Sequence, residues 1–551
     1  MSCKIRRYYD TLKYLKVGQI AYLVKNRLTR GKAAVTTASA PNCCPLPLWW
    51  EELDADPLYL RRFDAEALLQ GDLTLLHESK DAAGERSHLW NFNLHYLEYL
   101  IPLAAAYRRT GEERWYAGFK NVCLRWMREN KEGRGDGWHP YTISLRLTNL
   151  LICMDGFGEI LRQDEEFLQE LEGSMYAQYL HLQCSLERHL LANHYFENLK
   201  AVLLGSLYFQ EESTYNKYWT LLRREITEQI LPDGVHYERS LMYHKIILED
   251  LMRVAGVLSG RDEEFSGELK RTMQRMADAM YALEQGFGRT PLFNDAGDNV
   301  ARPMECLLRS LRERFGIVPA QPARRAFPDA GYYYLAGGDV RILLDAGQIG
   351  PGFAVGHGHC DALSFELSLR GEPLFVNAGT GLYQGAQRSY FRSTAAHNTV
   401  VIDGEEQSEC WGEHRVARRI SDVSGSCGDG WTEGSLTTAA GKRQKRRIEL
   451  DESSGVRILD TACGHAQAYL HLAPGWEYDL QGHRILLRKR PGAPQGIITV
   501  SENDVLRVHR DGNLALYAPE FGQIVEIQTL EISWEGDGTA HEIRIEFPEQ
   551  E

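Results

Sequence analysis

Residues 362–370 read Ala-Leu-Ser-Phe-Glu-Leu-Ser-Leu-Arg. Leu363, Phe365, Leu367 and Leu369 alternate with Ser364, Glu366, Ser368 and Arg370, a period of two that predicts a half-buried β-strand, and Gly371-Glu372-Pro373 turns it. Upstream the period is different. From about 56 to 315, apolar residues recur at spacings of three and four, as in Leu97, Leu100, Leu103, Ala104 and Tyr107, which form one helix face before the stop signal Thr110-Gly111. The same pattern predicts helices over 115–129, 142–160, 175–190, 194–210, 215–230, 240–258 and 264–285. Helical hairpins of this length in succession predict an α/α toroid or solenoid. Downstream, Ile543, Ile545 and Phe547 alternate again, and Asp511-Gly512 between two apolar runs is a hairpin signal. The fold class is therefore α+β and multidomain: an N-terminal helical extension (1–55), an (α/α) toroid (56–325) and an antiparallel β-sandwich (326–551). The change falls after Pro319, Pro322 and Pro328.

A length of 551 residues is more than one core sustains, and 43% hydrophobic with 25% charged residues is an ordinary globular balance. The net charge of −14 argues against nucleic acid as a partner and requires any acidic ligand to meet a locally basic cleft. The eleven cysteines contain no C-x-x-C spacing and read mostly as free thiols. The basic start is interrupted by Lys16, Gln19 and Lys25, so it provides neither a signal-peptide core nor a membrane span. This predicts a cytoplasmic chain, or a periplasmic or extracellular one whose leader has been removed. A basic helix here is expected to pack on its own domain, with contact to an anionic membrane as the alternative.

Four segments carry polar residues that packing does not require. On a helix starting at Asn193, His194 and Glu197 share a face. Tyr237 and Tyr243 follow Asp233-Gly234 near a helix start. His357 and His359 flank Gly358, so in extended backbone both imidazoles point the same way. With His397 they form a set that would suit zinc. Arg388, Tyr390, Arg392, His397 and Asn398 make the last cluster.

Together these residues, with Trp90-Asn-Phe-Asn93-Leu-His-Tyr96, Tyr237-Glu238-Arg239-Ser240 and Arg392-Ser-Thr-Ala-Ala-His397-Asn398-Thr-Val, resemble the heparinase II/III superfamily of polysaccharide lyases in order and placement. The resemblance implies cleavage of a uronic-acid-containing polysaccharide by β-elimination, with a glycosaminoglycan such as heparan sulfate, chondroitin or hyaluronan first, alginate second and a bacterial exopolysaccharide third. It implies Asn193, His194, Tyr243 and His357 as catalytic residues, with Tyr237 as second choice for the tyrosine. Asn193, His194 and a protonated Glu197 would neutralise the uronate carboxylate, and Tyr243, its pKa lowered by nearby cations, or His357 would move the proton. Trp90, Asn93, Trp138, His139, Glu238 and Tyr390 are expected sugar contacts, and Arg239, Arg388 and Arg392 are candidates for binding carboxylates or sulfates. The implied metal ligands are His359, His397 and Asn377, the last standing where the family has an aspartate. A divalent ion, zinc by ligand type, would be structural, and no organic cofactor is expected. A uronyl C5-epimerase shares every one of these features. A glycoside hydrolase would need a carboxylate pair, for which Asp233, Glu238 and Asp295 are available without evident pairing. A non-catalytic carbohydrate-binding protein has little need of the Asn, His and Tyr set.

Overall fold

The computed structural model describes residues 3–29, 40–55 and 88–548, apart from 131, 322, 324, 452–454 and 490–494. Residues 56–87, where the predicted toroid begins, lie outside the described residues. Two helices come first, α1 (Cys3–Leu12) and α2 (Val17–Thr29). The ring follows with α3 (His88–Tyr96), α4 (Ile101–Thr110), α5 (Glu113–Glu129), α6 (Pro140–Phe157), α7 (Glu165–Ser185), α8 (Ala192–Tyr208), α9 (Glu212–Gln229), α10 (Leu241–Leu258), α11 (Glu263–Glu284) and α12 (Met304–Phe315).

Burial separates two rings. Helices α6, α8 and α10 are buried on nearly every side and line the inside, whereas α5, α9 and α11 bury one stripe and face solvent with the other, as an outer layer must. The predicted stop at Thr110-Gly111 is present: Gly111 adopts φ +70° and its N–H closes on the Tyr107 carbonyl at 2.7 Å. Helix α4 nevertheless starts at Ile101, after a 3₁₀ turn entered through Leu97 at φ +53°. Helix α7 begins ten residues before its predicted start because the Asp164 carboxylate caps the Phe167 N–H.

The second unit opens at β1 (Ala326–Phe327) and continues through β2 (Tyr332–Gly337), β3 (Val340–Asp345), β4 (Phe365–Leu369), β5 (Glu372–Phe375) and β6 (Val400–Ile402). After these come β7 (Ser421–Gly428), β8 (Trp431–Thr437), β9 (Arg443–Leu450), β10 (Val456–Leu472), β11 (Glu477–Gln481), β12 (Arg484–Arg488), β13 (Gly496–Thr499), β14 (Val505–His509), β15 (Leu516–Glu520), β16 (Gln523–Glu526) and β17 (Gln528–Glu546). All their pairings are antiparallel, and the long strands β10 and β17 run side by side from Val456↔Ile545 to Leu472↔Gln528, tying both layers of the sandwich together.

Two strand expectations need correction. Strand β4 is buried on both faces, because Glu366 points into protein and accepts from the Leu292 and Asn377 N–H groups while pairing with Arg289 at 2.7 Å. Asp511-Gly512 makes no two-strand hairpin: β14 pairs with β17, and β15 pairs with β16 after a 3₁₀ turn at Asn513–Ala515.

A shared core of Leu241, Leu283, Phe287, Phe293, Tyr332 and Leu343 joins α10 and α11 to β2 and β3, packing the helical unit against the β unit. Every described cysteine is a free thiol, and no described helix is long and apolar enough to cross a membrane.

Candidate active site

Three segments with unfavourable backbone conformations enter the cleft. Leu191 and Ala192 both have positive φ, +61° and +53°, immediately before Asn193. Arg239 (+56°) precedes the cap of α10, and Asn294 (+55°) precedes Asp295. Non-glycine residues in this region cost about 1–3 kcal/mol each and persist where the surroundings fix them, which is typical of functional sites. The β unit adds His357-Gly358-His359, where a Cβ on Gly358 would meet the Ile349 carbonyl oxygen at 2.2 Å, so only glycine lets the loop lie this close.

Asp295 organises the site. Its buried carboxylate accepts from His357 Nδ1 at 2.8 Å, His359 Nε2 at 2.8 Å, Thr380 Oγ1 at 3.1 Å and both terminal nitrogens of Arg388. Burial pushes its pKa up, but Arg388 and the two histidines outweigh that and hold the carboxyl well below its usual range. A carboxylate can only accept, so His357 carries a proton on Nδ1, which leaves Nε2 as the atom turned to the site. That Nε2 lies 3.3 Å from Asn193 Nδ2, which also donates to Glu238 at 3.1 Å. Glu238 is raised, since its burial is only partly offset by His357 and Asn193.

Tyr243 stands in the first turn of α10, below the Ser240 cap. Its ring is 4.5 Å from that of His357, and its hydroxyl bonds the Tyr383 hydroxyl at 2.6 Å. Burial, reinforced by Tyr383, Tyr141 and the carboxylates of Asp295 and Glu238, raises Tyr243 well above the ordinary phenol value; the expected lowering by cations does not occur. Tyr237 lies before α10 rather than on it, buried in the turn with its N–H on the Gln229 carbonyl, so helical rotation does not relate the two tyrosines.

The His194 ring packs against that of Tyr141 at 4.3 Å, tilted by 33°, and contacts Glu187 Oε1 through Nδ1 at 3.0 Å. Asn198 positions Glu187 by donating to Oε2 at 3.1 Å and accepting the Glu187 N–H at 2.7 Å. Burial pushes His194 down, but Glu187 outweighs it and leaves the imidazole raised. The cationic form is favoured below that raised pKa and is lost as pH rises through it. Glu187→Gln should therefore move the alkaline limb of kcat/KM to lower pH, with the acid limb unmoved; an unmoved alkaline limb would show that His194 does not act as a cation.

Other expected contacts sit elsewhere. Glu197 turns into the helical core, where it pairs with Lys200 at 2.6 Å beside Asp250. Arg239 donates to the Ala330 and Asp329 carbonyls, Arg388 binds Asp295, and Arg392 donates to Gly358 and Glu413 carbonyls, so all three are buried structural cations. Trp138 is buried in the helical core, Trp90 packs against that core, and Asn93 Nδ2 bonds back to the Leu89 carbonyl. Tyr390 belongs to a small cluster with Phe391 and Ala518. His139 does reach the cleft, capping α6 with its Nε2 3.8 Å from Glu187.

Behind His357, ligand atoms of His359, Asp361 and His397 lie within 4.8 Å of one another. His359 Nδ1 and both ring nitrogens of His397 are buried without partners, and burial keeps both imidazoles neutral, His359 down to about 4 despite Asp295. Two neutral imidazoles and a carboxylate fit a divalent ion. Asp361 supplies the carboxylate; the Asn377 oxygen accepts the Asn398 N–H at 3.2 Å instead. Sequence reading did not single out Asp361, Glu187 or Tyr383, and it did not anticipate that Asp295 joins His357, His359 and Arg388. Only Tyr383, an aromatic in the glycine-rich 379–385 loop, carried a local signal.

Residues 76–321 match the family model described as heparinase II/III N-terminus, and residues 319–546 match heparinase II/III-like, C-terminal. A heparin-sulfate lyase of Pedobacter heparinus is 22% identical over 348 residues, 57% of this chain and 52% of that protein. One of Bacteroides stercoris is 23% identical over 366 residues, 57% and 54% respectively. The chain thus spans about half the length of the curated relatives it matches. A crystal structure of heparinase III superposes with TM-score 0.66 at 18% identity, covering 95% of this chain and 89% of that one. A heparan sulfate lyase mutant from Pedobacter heparinus superposes with TM-score 0.62 at 16% identity, covering 99% and 93%. Helical toroid, β-sandwich and both family models agree: the chain belongs to the heparinase II/III superfamily.

Proposed function

We propose that this protein is a polysaccharide lyase that cuts a uronic-acid-containing polysaccharide by β-elimination. The observation that carries the reading is the junction of His357, with a proton fixed on Nδ1 by Asp295, and the neutral phenol of Tyr243, directly beside Asn193. His194 and the Asn193 N–H that faces His357 in the free protein bind the uronate carboxylate, the latter releasing His357 Nε2 as substrate enters, drawing charge out of the ring and making the C5 proton acidic; one such donor is commonly worth about 3 kcal/mol in the transition state. His357 Nε2 takes the C5 proton, the C5–H electrons form the C4=C5 bond, the C4–O bond breaks, and Tyr243 gives its proton to the departing oxygen. Hydrolysis is disfavoured because the available carboxylates are occupied: Asp233 caps the Val235 and Ala330 N–H groups, Glu238 holds Asn193, and Asp295 holds Arg388.

The names of the relatives put heparan sulfate first as substrate. A second reading, an unsulfated uronate polymer, is favoured by the inward turn of Arg239, Arg388 and Arg392, which removes those three guanidinium groups from sulfate binding. Incubation with heparan sulfate, chondroitin, hyaluronan and alginate, read by far-ultraviolet absorbance of the unsaturated product, separates the readings; silence on every polymer would remove the proposal.

At the His359, Asp361 and His397 group, zinc is the ion the donor set suits best, and its part would be to fix the loop bearing His357. Protein purified without added metal should contain stoichiometric zinc by elemental analysis, and Asp361→Asn should lose it and melt at lower temperature. Metal retained in Asp361→Asn would contradict this ligand set.

A further inference from the structure

Helices α1 and α2 are amphipathic in the inverted sense. On α1, Ile5, Tyr8, Tyr9 and Leu12 fall at helical spacing on one face, and all are exposed. On α2, Val17, Ile20, Val24 and Leu28 do the same, with Val17 84% and Leu28 75% exposed. The side turned inward is polar: Asp10 and Gln19 are buried there. Gln19 donates to the His189 and Phe353 carbonyls, Arg7 pairs with Glu409 at 2.7 Å, and Trp411 donates to Thr11. A surface helix of a soluble domain normally places its apolar stripe on the core and its polar side in water. Nine of the thirteen exposed large hydrophobic side chains among the described residues belong to this one segment.

Charge indicates what covers the stripe. Residues 1–32 contain nine Lys or Arg and a single acid, Asp10, in a chain whose net charge is −14. Exposed Lys4, Lys25 and Arg27 accompany the apolar stripe, with Arg6 only 3.8 Å from Asp10, whereas Lys13 pairs with Asp10 at 2.8 Å and Lys16 pairs with Glu228 on the protein side. A second copy pairing through the same surface would set these cations against each other. We propose that α1 and α2 dock the protein on an anionic lipid surface, the apolar stripe entering the headgroup region and the cations meeting lipid phosphates. Because α2 holds the carbonyls of His189 and Phe353, each four residues before Asn193 and His357 respectively, docking sets the mouth of the proposed lyase cleft beside the membrane.

Sedimentation of the full chain with vesicles of phosphatidylcholine alone, or mixed with phosphatidylglycerol, tests the surface without reference to catalysis. Binding is expected to the anionic vesicles and to be roughly tenfold or more weaker in Ile5→Ser with Val17→Ser, and in Lys4→Glu with Arg27→Glu. These positions are exposed, so circular dichroism and turnover of soluble substrate should match the parent. Equal partition onto both vesicle types, binding unchanged in both variants, or lipid-free self-association abolished by the serine substitutions would each overturn the proposal, the last by identifying a second copy as the occupant.

Discussion

Tyr243→Phe should fold, bind substrate with little change in KM and turn over roughly a hundredfold to ten-thousandfold more slowly, the usual worth of a positioned proton-transfer group. The ring stays packed against His357 at 4.5 Å, so the substitution removes one oxygen and little else. The lost bond to the Tyr383 hydroxyl, 2.6 Å in the parent, costs about 1 kcal/mol of stability. Tyr383→Phe and Tyr237→Phe should each be far milder, since one hydroxyl only orients Tyr243 and the other lies in a buried turn. Steady-state kinetics on the three variants decide the matter. Full activity in Tyr243→Phe would transfer the acid role elsewhere.

Asp295→Asn should be the most damaging single exchange in the cleft. The amide offers one acceptor where the carboxylate serves His357, His359, Thr380 and Arg388, and it leaves the buried Arg388 guanidinium without a counter-charge. Breaking a buried pair in this way costs about 3–5 kcal/mol. Loss of the anion also frees the His357 tautomer, and a misplaced proton on such a dyad lowers kcat by roughly ten-thousandfold. The linkage has a definite sign. Asp295 is depressed in the folded protein, so its contribution is present above the unfolded value of about 3.9 and is lost as pH falls through the lower folded value. Urea unfolding should accordingly show Asp295→Asn far less stable than the parent at neutral pH, with the gap closing in acid. A constant gap down to strongly acidic pH would mean that Asp295 is not held ionised.

The helical unit was largely legible because its signals are local. Amphipathic spacing between Gly- and Asp-bearing turns located α8 through α11 to within a few residues, whereas α7 was misplaced because its Asp164 cap lies upstream of the apolar pattern. The β unit was less legible. Strands β10 and β17 are the longest in the sandwich, yet β10 passes through Ala462-Cys-Gly-His-Ala466, where small and polar residues interrupt the alternation. In the cleft, Asn193, His194, Tyr243 and His357 were readable as clustered polar residues with no packing duty, and the fold brings them together. Asp295 and Glu187 were not, because a buried carboxylate is indistinguishable in sequence from a surface one until its partners arrive from elsewhere. Those of Asp295 lie 62, 64 and 93 residues away. The same long reach explains the arginines: Arg239, Arg388 and Arg392 resemble ligand-binding cations in sequence and prove to be braces between distant loops.

Elimination differs from hydrolysis and epimerisation in the fate of one water molecule and one proton. The most direct measurement is mass spectrometry of the products of heparan sulfate digestion in heavy-oxygen water. Elimination predicts two fragments whose masses sum to that of the parent chain, a C4=C5 bond on the new non-reducing end and no heavy oxygen at the new reducing end. Fragments whose masses sum to the parent plus one heavy-oxygen water, with a saturated non-reducing end, would establish hydrolysis, and an uncut chain that gains deuterium at C5 in a parallel incubation in deuterium oxide would establish epimerisation; either result would contradict the lyase assignment.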